Sequence, residues 1–526
     1  MWGPARAEPV RARIMDTRSL VLGIADCRLP TPARSVSDDH EPQITAPCLL
    51  FAPTPRYRPP SAPDRGTVND MPSPRTRRWA WAPTLAVLGL AACARYHVRP
   101  LSHAAVAAAL RAPTHVALVR AARQLKLPPL APMRLNFARP LSPREVGVIA
   151  VLADPDLIAL RARRRVATAQ VFAAGLLPNP VINASELIPY GPQSGGRSTA
   201  FSGGFLWDLS RLFTRSGTLR IARENARAVR FQVAWREWAV ANQARLLAIR
   251  LYWLRRSRAV AASSAALAKT YSERLGDALR AGAISISSAA RGEALARAAQ
   301  LAAARYERRV RRARIALNTL LGLTPDAHVR LGRPAPPPST VPHPARLFLA
   351  AQKRRLDLVA LRAAYQSTEA ELDSAVLAQY PQIGIGLAAA RNTSGIPSAG
   401  WQLTLTLPIN GNRGAIAVAR ARRAALYHAY MARLAQDRAA IDRLSMYFMN
   451  YTRELRDLGP QQSTFAHLAH AALAAGRSGA LDRNSTLTIV LQNTFAEEQM
   501  NNLHIAQAQS YIGLVVASGA RWQEEP

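Results

Sequence analysis

"WQLTLTLPINGNRG" spans residues 401–414, and its first half decides the fold. Trp401, Leu403, Leu405, Leu407 and Ile409 alternate with Gln402, Thr404 and Thr406. That period of two predicts a strand with one apolar face. The sequence on either side has the composition of very long helices, so a two-faced strand between them needs a reason to exist.

Working outward, three more stretches share the pattern. "NPVINASEL" (179–187) and "AFSGGFLWDL" (200–209) flank the Gly-rich "YGPQSGGRS"; "PQIGIGLAAA" (381–390) is followed by "RNTSGIPSA" and then by the opening stretch. Ile383, Ile385 and Leu387 alternate with Gln382, Gly384 and Gly386. Two hairpins with polar connecting loops are predicted.

The hairpins belong to a duplication. "DLIALRA" (156–162) recurs as "DLVALRA" (357–363), 201 residues later, and Pro180-Val181-Ile182 corresponds to Pro381-Gln382-Ile383 at the same offset. "ALRAG" (278–282) recurs as "ALAAG" (472–476) at an offset of 194. Both halves read helix, strand, loop, strand, very long helix, Gly turn, long helix. Each opens with a helix; in the first, Ser142-Pro143-Arg144-Glu145 is a capping box with proline at the first helical position. The segments are an upstream stretch 1–70, a signal-like stretch 71–92, an N-terminal segment 93–140, a first repeat 141–331, the Pro-rich linker 332–345, a second repeat 346–520 and a tail 521–526.

No proline occurs between Pro192 and Pro325. A helix from about 213 to 280 would run ~100 Å at 1.5 Å per residue. Such a helix needs neighbours for its apolar residues: Phe231, Ala234, Trp235 and Trp238 form one stripe, Leu247, Leu251 and Leu254 another. The alanines of "ALARAAQLAAAR" (294–305) permit close helix approach. Gly282 and Gly476 supply turn positions at the far tips. Gly459-Pro460 interrupts the second long helix and is expected to kink or break it.

The 526-residue chain has a formal net charge of +36 and only 6% aromatic residues. That balance suits nucleic acid, an anionic membrane surface or a solvated Arg-rich exterior. Arginines are spread along helices, as in "YERRVRRARIAL" (306–317), a pattern more often belonging to a solvated helix face than to a binding site. The three cysteines, Cys27, Cys48 and Cys93, form no CxxC pair, which argues against a disulfide framework or a zinc site. His467 and His470 stand three apart without an evident third ligand, and "GIG" (384–386) lies within a strand. No nucleophile motif or phosphate loop is present, so no enzyme, no metal and no cofactor is expected.

No apolar run is long enough for a membrane-spanning helix. "MPSPRTRRWAWAPTLAVLGLAAC" (71–93) has a basic start and a short apolar segment, the layout of a secretory signal peptide. It ends Leu90-Ala91-Ala92-Cys93, like a bacterial lipobox, which makes Cys93 the expected lipidation site and mature N-terminus. Met71 is then the expected true start, and the Pro- and Arg-rich residues before it are expected to be disordered if made.

Four strands are too few for a closed membrane barrel, and a hairpin with one apolar face is marginal alone. Identical chains lending four strands each to a shared barrel would resolve this. Trp401, Leu403, Leu405 and Leu407 would face lipid; Gln402, Thr404 and Thr406 would face a wet lumen. Trp207 and Trp401 would sit at the membrane interfaces.

These features resemble the TolC-type outer-membrane efflux proteins, specifically the lipoprotein outer-membrane factors of tripartite pumps. The resemblance rests on Cys93, "LSPREVGVIAVLADPDL" (141–157), "AGLLPNPVI" (174–182), "LDLVALRAA" (356–364) and "LTLPINGNRGAIAVARA" (405–421), and covers roughly residues 141–520. "GLLPNP" is similar to members serving heavy-metal RND pumps. The family implies a mainly α fold with a small β part: a periplasmic α-barrel of long-helix hairpins on a trimeric, twelve-stranded transmembrane β-barrel. It implies a homotrimer in outer-membrane lipid that meets a periplasmic adaptor and an inner-membrane RND transporter. It also implies a periplasmic gate with acidic residues six positions after each tip glycine; carried over, those positions are Ser288 and Asp482, and only the second keeps a carboxylate. The family's usual Arg-Pro-Asp-Leu reads Arg355-Leu356-Asp357-Leu358 here.

The expected function is a passive outer-membrane conduit for small molecules or metal cations, driven by the inner-membrane transporter. A channel for type I protein secretion beside an ABC exporter fits the sequence too. A basic helical protein that binds nucleic acid or scaffolds partners is the reading from a different class; the signal-like stretch and the alternating strands oppose it, so no nucleic acid partner is expected.

Overall fold

The computed structural model describes residues 96–125, 130, 132–192 and 195–519; Cys93, the signal-like stretch, residues 1–70 and the tail lie outside them. Two short helices, α1 (His103–Ala109) and α2 (His115–Arg123), precede a doubled series. The first series is α3 (Pro143–Ala153), α4 (Pro155–Ala174), β1 (Val181–Leu187), β2 (Ala200–Asp208), α5 (Ser210–Arg280) and α6 (Ile286–Leu320). The second is α7 (Pro344–Arg354), α8 (Leu356–Leu377), β3 (Gln382–Arg391), β4 (Pro397–Thr406), α9 (Arg413–Ser478) and α10 (Arg483–Ser518). The fold is mainly helical with one small antiparallel sheet.

Local chemistry sets the boundaries. Ser142 and Glu145 form the reciprocal capping box at the start of α3, and Pro143 needs no donor there. Where the sequence suggests one opening helix, Asp154 divides it. Its carboxylate accepts from the backbone N–H groups of Asp156 and Leu157, which starts α4 with Pro155 at its first position. At the offset of 201, Arg355 divides α7 from α8 in the second series.

Helix α5 has 71 residues, about 105 Å of rise, and α9 has 66. Trp238, Leu251 and Leu254 are buried against α3 and the end of α6, in a core that includes Val146, Ile149, Leu157 and Leu317. Buried Glu237 pairs with Arg161 at 2.7 Å, so its charge is neutralised beside this core. Farther along, Ala296 and Ala299 pack with Ala268, Tyr271 and Leu487. The α5–α10 seam carries hydrogen bonds at seven-residue spacing: Asn501 to Ser257 at 3.1 Å, and Ser264 with Thr494 at 2.6 Å.

Helix α9 continues through Pro460, so of the expected kink or break the break does not occur. The ring removes one N–H from the ladder, and the Pro460 carbonyl accepts from the Ser463 and Thr464 hydroxyls. The second hairpin loop is shorter than "RNTSGIPSA" suggests. Asn392 Oδ1 accepts from the N–H groups of Ser394 and Ile396, and Gly395 takes a positive φ, so the turn closes early. Strand β4 therefore starts at Pro397 and ends at Thr406; Leu407 follows it outside the ladder. "INGNRG" then performs the strand-to-helix turn. Gly411 and Asn412 adopt left-handed φ, and Asn412 Nδ2 donates to the Ala375 carbonyl at 2.8 Å, tying the turn to α8.

Candidate functional site

The sheet has the order β1-β2-β3-β4 with every pair antiparallel. Its central pairing joins the two halves of the chain through β2 and β3, and the outer edges of β1 and β4 are left unpaired within the chain. Paired residues share a face. Ile182, Phe205, Leu387 and Trp401 form one row across all four strands. Trp207, Ile385 and Leu403 form the next, and Ile383 with Leu405 the last. Trp401, Leu403 and Leu405 thus lie on one continuous apolar face, exposed in the single chain.

The opposite face is mostly small and polar, although Val181 and Leu206 pair on it in the row of Gly386 and Gln402. Gln402 pairs with Gly386, Thr404 with Gly384 and Thr406 with Gln382. Ser185 and Ser202 share a 2.8 Å hydrogen bond on β1 and β2. The glycines keep this face open: a Cβ on Gly386 would fall 2.2 Å from the Phe205 carbonyl oxygen. An apolar face backed by a polar, low-profile one is what a wall between lipid and water requires.

At the far ends of the long helices the chain turns twice. Gly282, with φ +70°, makes the α5–α6 turn. The equivalent at the α9–α10 turn is Gly479, with φ +79°, and not Gly476, which lies inside α9. The helix runs three residues farther than the "ALRAG"/"ALAAG" match implies. Gly476 instead permits close packing, since a Cβ there would meet Thr486 Oγ1 at 2.6 Å.

This shift changes the reading of the gate positions. Ser285 caps α6 by accepting from the Ser288 N–H, and Asp482 caps α10 by accepting from the Ser485 N–H. Each stands three residues after its turn glycine, so Asp482 corresponds to Ser285, and Ser288 to Ser485. Six residues after the turn glycines stand two serines. The Ser485 hydroxyl and backbone N–H hold the Asp482 carboxyl below the usual carboxylate range. Asn484 Nδ2 donates to both the carbonyl and the hydroxyl of Ser288, joining the two tips.

A buried charge cluster escapes the sequence reading, which treats Arg355 as only marking position. Arg355 is 4% exposed. It grips both Asp357 oxygens at 2.7 and 3.1 Å, contacts Asp437 at 2.8 Å and donates to the Ala517 carbonyl. Its guanidinium lies 4.6 Å from the Trp235 ring centre. Arg433 adds a second cation, 2.8 Å from Asp357. Burial pushes the Asp437 carboxyl up to about 6, against the downward pull of Arg355 and Arg433. The cluster ties α8, α9, α5 and the end of α10 together. The one signal for it is the opposite charge of Asp154 and Arg355 at equivalent places.

His467 and His470 are both exposed on α9. Among the described residues no group of three His, Cys, Asp or Glu side chains is placed to hold a metal ion, and no helix is long and apolar enough to cross a membrane.

No family model matches the sequence, and no curated protein matches it. Solved structures do. The *Campylobacter jejuni* CmeC outer membrane channel is 14% identical, with a TM-score of 0.62 over 73% of this chain and 87% of that one. The outer-membrane channel OprN is 16% identical, with a TM-score of 0.61 over 82% of this chain and 99% of that one. CusC, whose structures describe transmembrane channel formation, is 15% identical, with a TM-score of 0.59 over 78% and 99%. At such identities the likeness speaks for the fold: this chain has the TolC-like fold of outer-membrane channel proteins.

Proposed function

We propose that the protein is the outer-membrane channel of a tripartite efflux system, a passive conduit that an inner-membrane transporter drives. One observation carries this reading. The four-stranded sheet is apolar on one face and mostly polar on the other, has two unpaired edges, and feeds directly into helices of about 100 Å. A sheet of that kind is stable in a membrane only when its edges are paired. Three copies would close it into twelve strands and align the long helices below as a tunnel. The chemistry is transport through a wet pore, without a bond made or broken.

The same reading places a periplasmic adaptor and an RND-type transporter at the Gly282 and Gly479 tips, with an ABC exporter as the alternative drive. It also places a lipid on Cys93, outside the described residues. The direct experiment takes the purified full-length protein in detergent, measures its mass, and records ion currents after addition to a planar lipid bilayer. A trimer with stable conductance is expected. A detergent-independent monomer passing no ions would overturn the proposal. Labelled palmitate, supplied to cells, is expected on the wild type and absent from Cys93→Ser.

A further inference from the structure

The arginines are not evenly distributed along the long helices. On the sheet side, 155–174, 210–231, 356–377 and 413–434 carry sixteen arginines against six carboxylates. The tip-side stretches 259–280, 286–307, 457–478 and 483–504, of similar total length, carry eight basic residues against seven carboxylates. The middle of α5 (232–258) is as basic as the sheet side, with six arginines against one carboxylate, so it is the tips that are depleted of cations.

The placement is more specific than the count. Phe213 stands five residues beyond the end of β2 and is 81% exposed; Phe172 stands nine residues before β1 and is 71% exposed. Seven and fourteen residues beyond Phe213, away from the sheet, are Arg220 and Arg227; seven residues before Phe172, also away from the sheet, is Arg165. Seven residues return a helix to nearly the same face. On both helices an exposed ring lies next to the sheet, with an exposed guanidinium about 10 Å below it on the same stripe. A phenylalanine bare to water is unfavourable, but at the boundary of a bilayer it is stabilised, as aromatic belts are. Among the described residues Arg165, unlike Arg161 one turn away, has no carboxylate partner, and Arg220 meets Asp373 only in a surface pair, 2.9 Å apart.

We propose that Arg165 and Arg220, about 10 Å below the rings of Phe172 and Phe213, form a docking surface for the phosphate groups of anionic phospholipids in the leaflet next to the helices. The inference rests on the channel reading and adds its lipid partner. Long guanidinium side chains reach back toward headgroups from about one Debye length. A lipid lying on the apolar strand face would carry its headgroup toward these arginines.

Tryptophan quenching by brominated lipids tests it, since Trp401 and Trp207 lie on the sheet. The full-length protein is reconstituted in dibrominated phosphatidylcholine or dibrominated phosphatidylglycerol, and the relative lipid-binding constant is read. Phosphatidylglycerol is expected to bind at least about threefold better, and Arg165→Gln/Arg220→Gln is expected to bring the ratio near one. The tip variant Arg297→Gln should leave it unchanged. Equal quenching by the two lipids in the wild type, or a preference that survives the double substitution, overturns this inference alone. Quenching by neither lipid overturns the channel reading and this inference with it.

Discussion

Arg355 and Asp437 meet at 2.8 Å in the interior, although 82 residues of chain, including the whole second hairpin, separate them. The contact makes the α7–α8 joint answer to the protonation of a carboxyl on α9. Burial sets the Asp437 pKa near 6, above its ordinary value of 3.8. The folded state therefore holds this proton more tightly than the unfolded state does. Its contribution to stability grows as pH falls from about 6 to 4 and is flat above that window. Asp437→Asn should remove a term of about 2–3 kcal/mol from the pH dependence. Denaturant titrations of wild type and variant at pH 4.5 and 7.5 compare the two directly; parallel pH profiles would show that the carboxyl is not perturbed. Asp437→Ala should cost about 3 kcal/mol at pH 7.5, because it leaves Arg355 buried with one partner fewer.

The two tip glycines of the second repeat do different work. Gly479 carries the left-handed turn, so Gly479→Val should destabilise by about 1–2 kcal/mol while Gly479→Asn is nearly neutral. Gly476 sits in the helix against Thr486. Gly476→Ala should therefore be destabilising in the wild-type background and relieved by Thr486→Ala, a coupling that a double-mutant cycle reads from thermal unfolding. Absence of coupling would mean that α9 and α10 do not approach there.

Asp482 tests capping against charge. Asp482→Asn keeps a side-chain oxygen for the Ser485 N–H, whereas Asp482→Ala loses the cap and about 1 kcal/mol. The wild-type carboxyl titrates below its ordinary range, so its advantage is present at neutral pH and lost as pH falls through the folded-state value. If the charge also gates the tip, Asp482→Asn will change single-channel current at unchanged stability. An unaltered current would leave Asp482 a helix cap only.

Strands and long helices are legible in this sequence because each lays its apolar residues out at its own period. Ile385 and Leu403 could be assigned to one face before their pairing was seen. Trp238, Leu251 and Leu254 were legible as a buried stripe for the same reason. The Asn412 turn, the register of the tips and the Arg355 cluster were not. Gly476 and Gly479 are both chemically suited to a turn, and only helix packing against Thr486 decides between them. Arg355 and Asp437 are separated by two strands and a turn, so nothing local marks their meeting. The depletion of basic charge toward the tips is present in composition, but it has no direction until the helices are laid beside one another.

The sheet itself offers the sharpest contrast, between neighbouring residues of one strand. Leu403 pairs with Ile385 on the apolar face, and Thr404 pairs with Gly384 on the polar one. An arginine at 403 would enter hydrocarbon near the middle of the sheet, at a cost of about 2–4 kcal/mol. Leu403→Arg should lower the yield of trimer and its resistance to heat in detergent. Thr404→Arg meets the glycines Gly384 and Gly386 beside the Leu206 side chain, and its guanidinium would remain in water. That variant should assemble normally, yet three added cations around a shared pore should reduce cation current and shift the reversal potential toward anions. Bilayer recordings under a salt gradient, beside heat-modified gel mobility, separate the two outcomes. Identical behaviour of the two variants would mean that the faces of β4 do not divide lipid from lumen, and the barrel would fail at its simplest requirement.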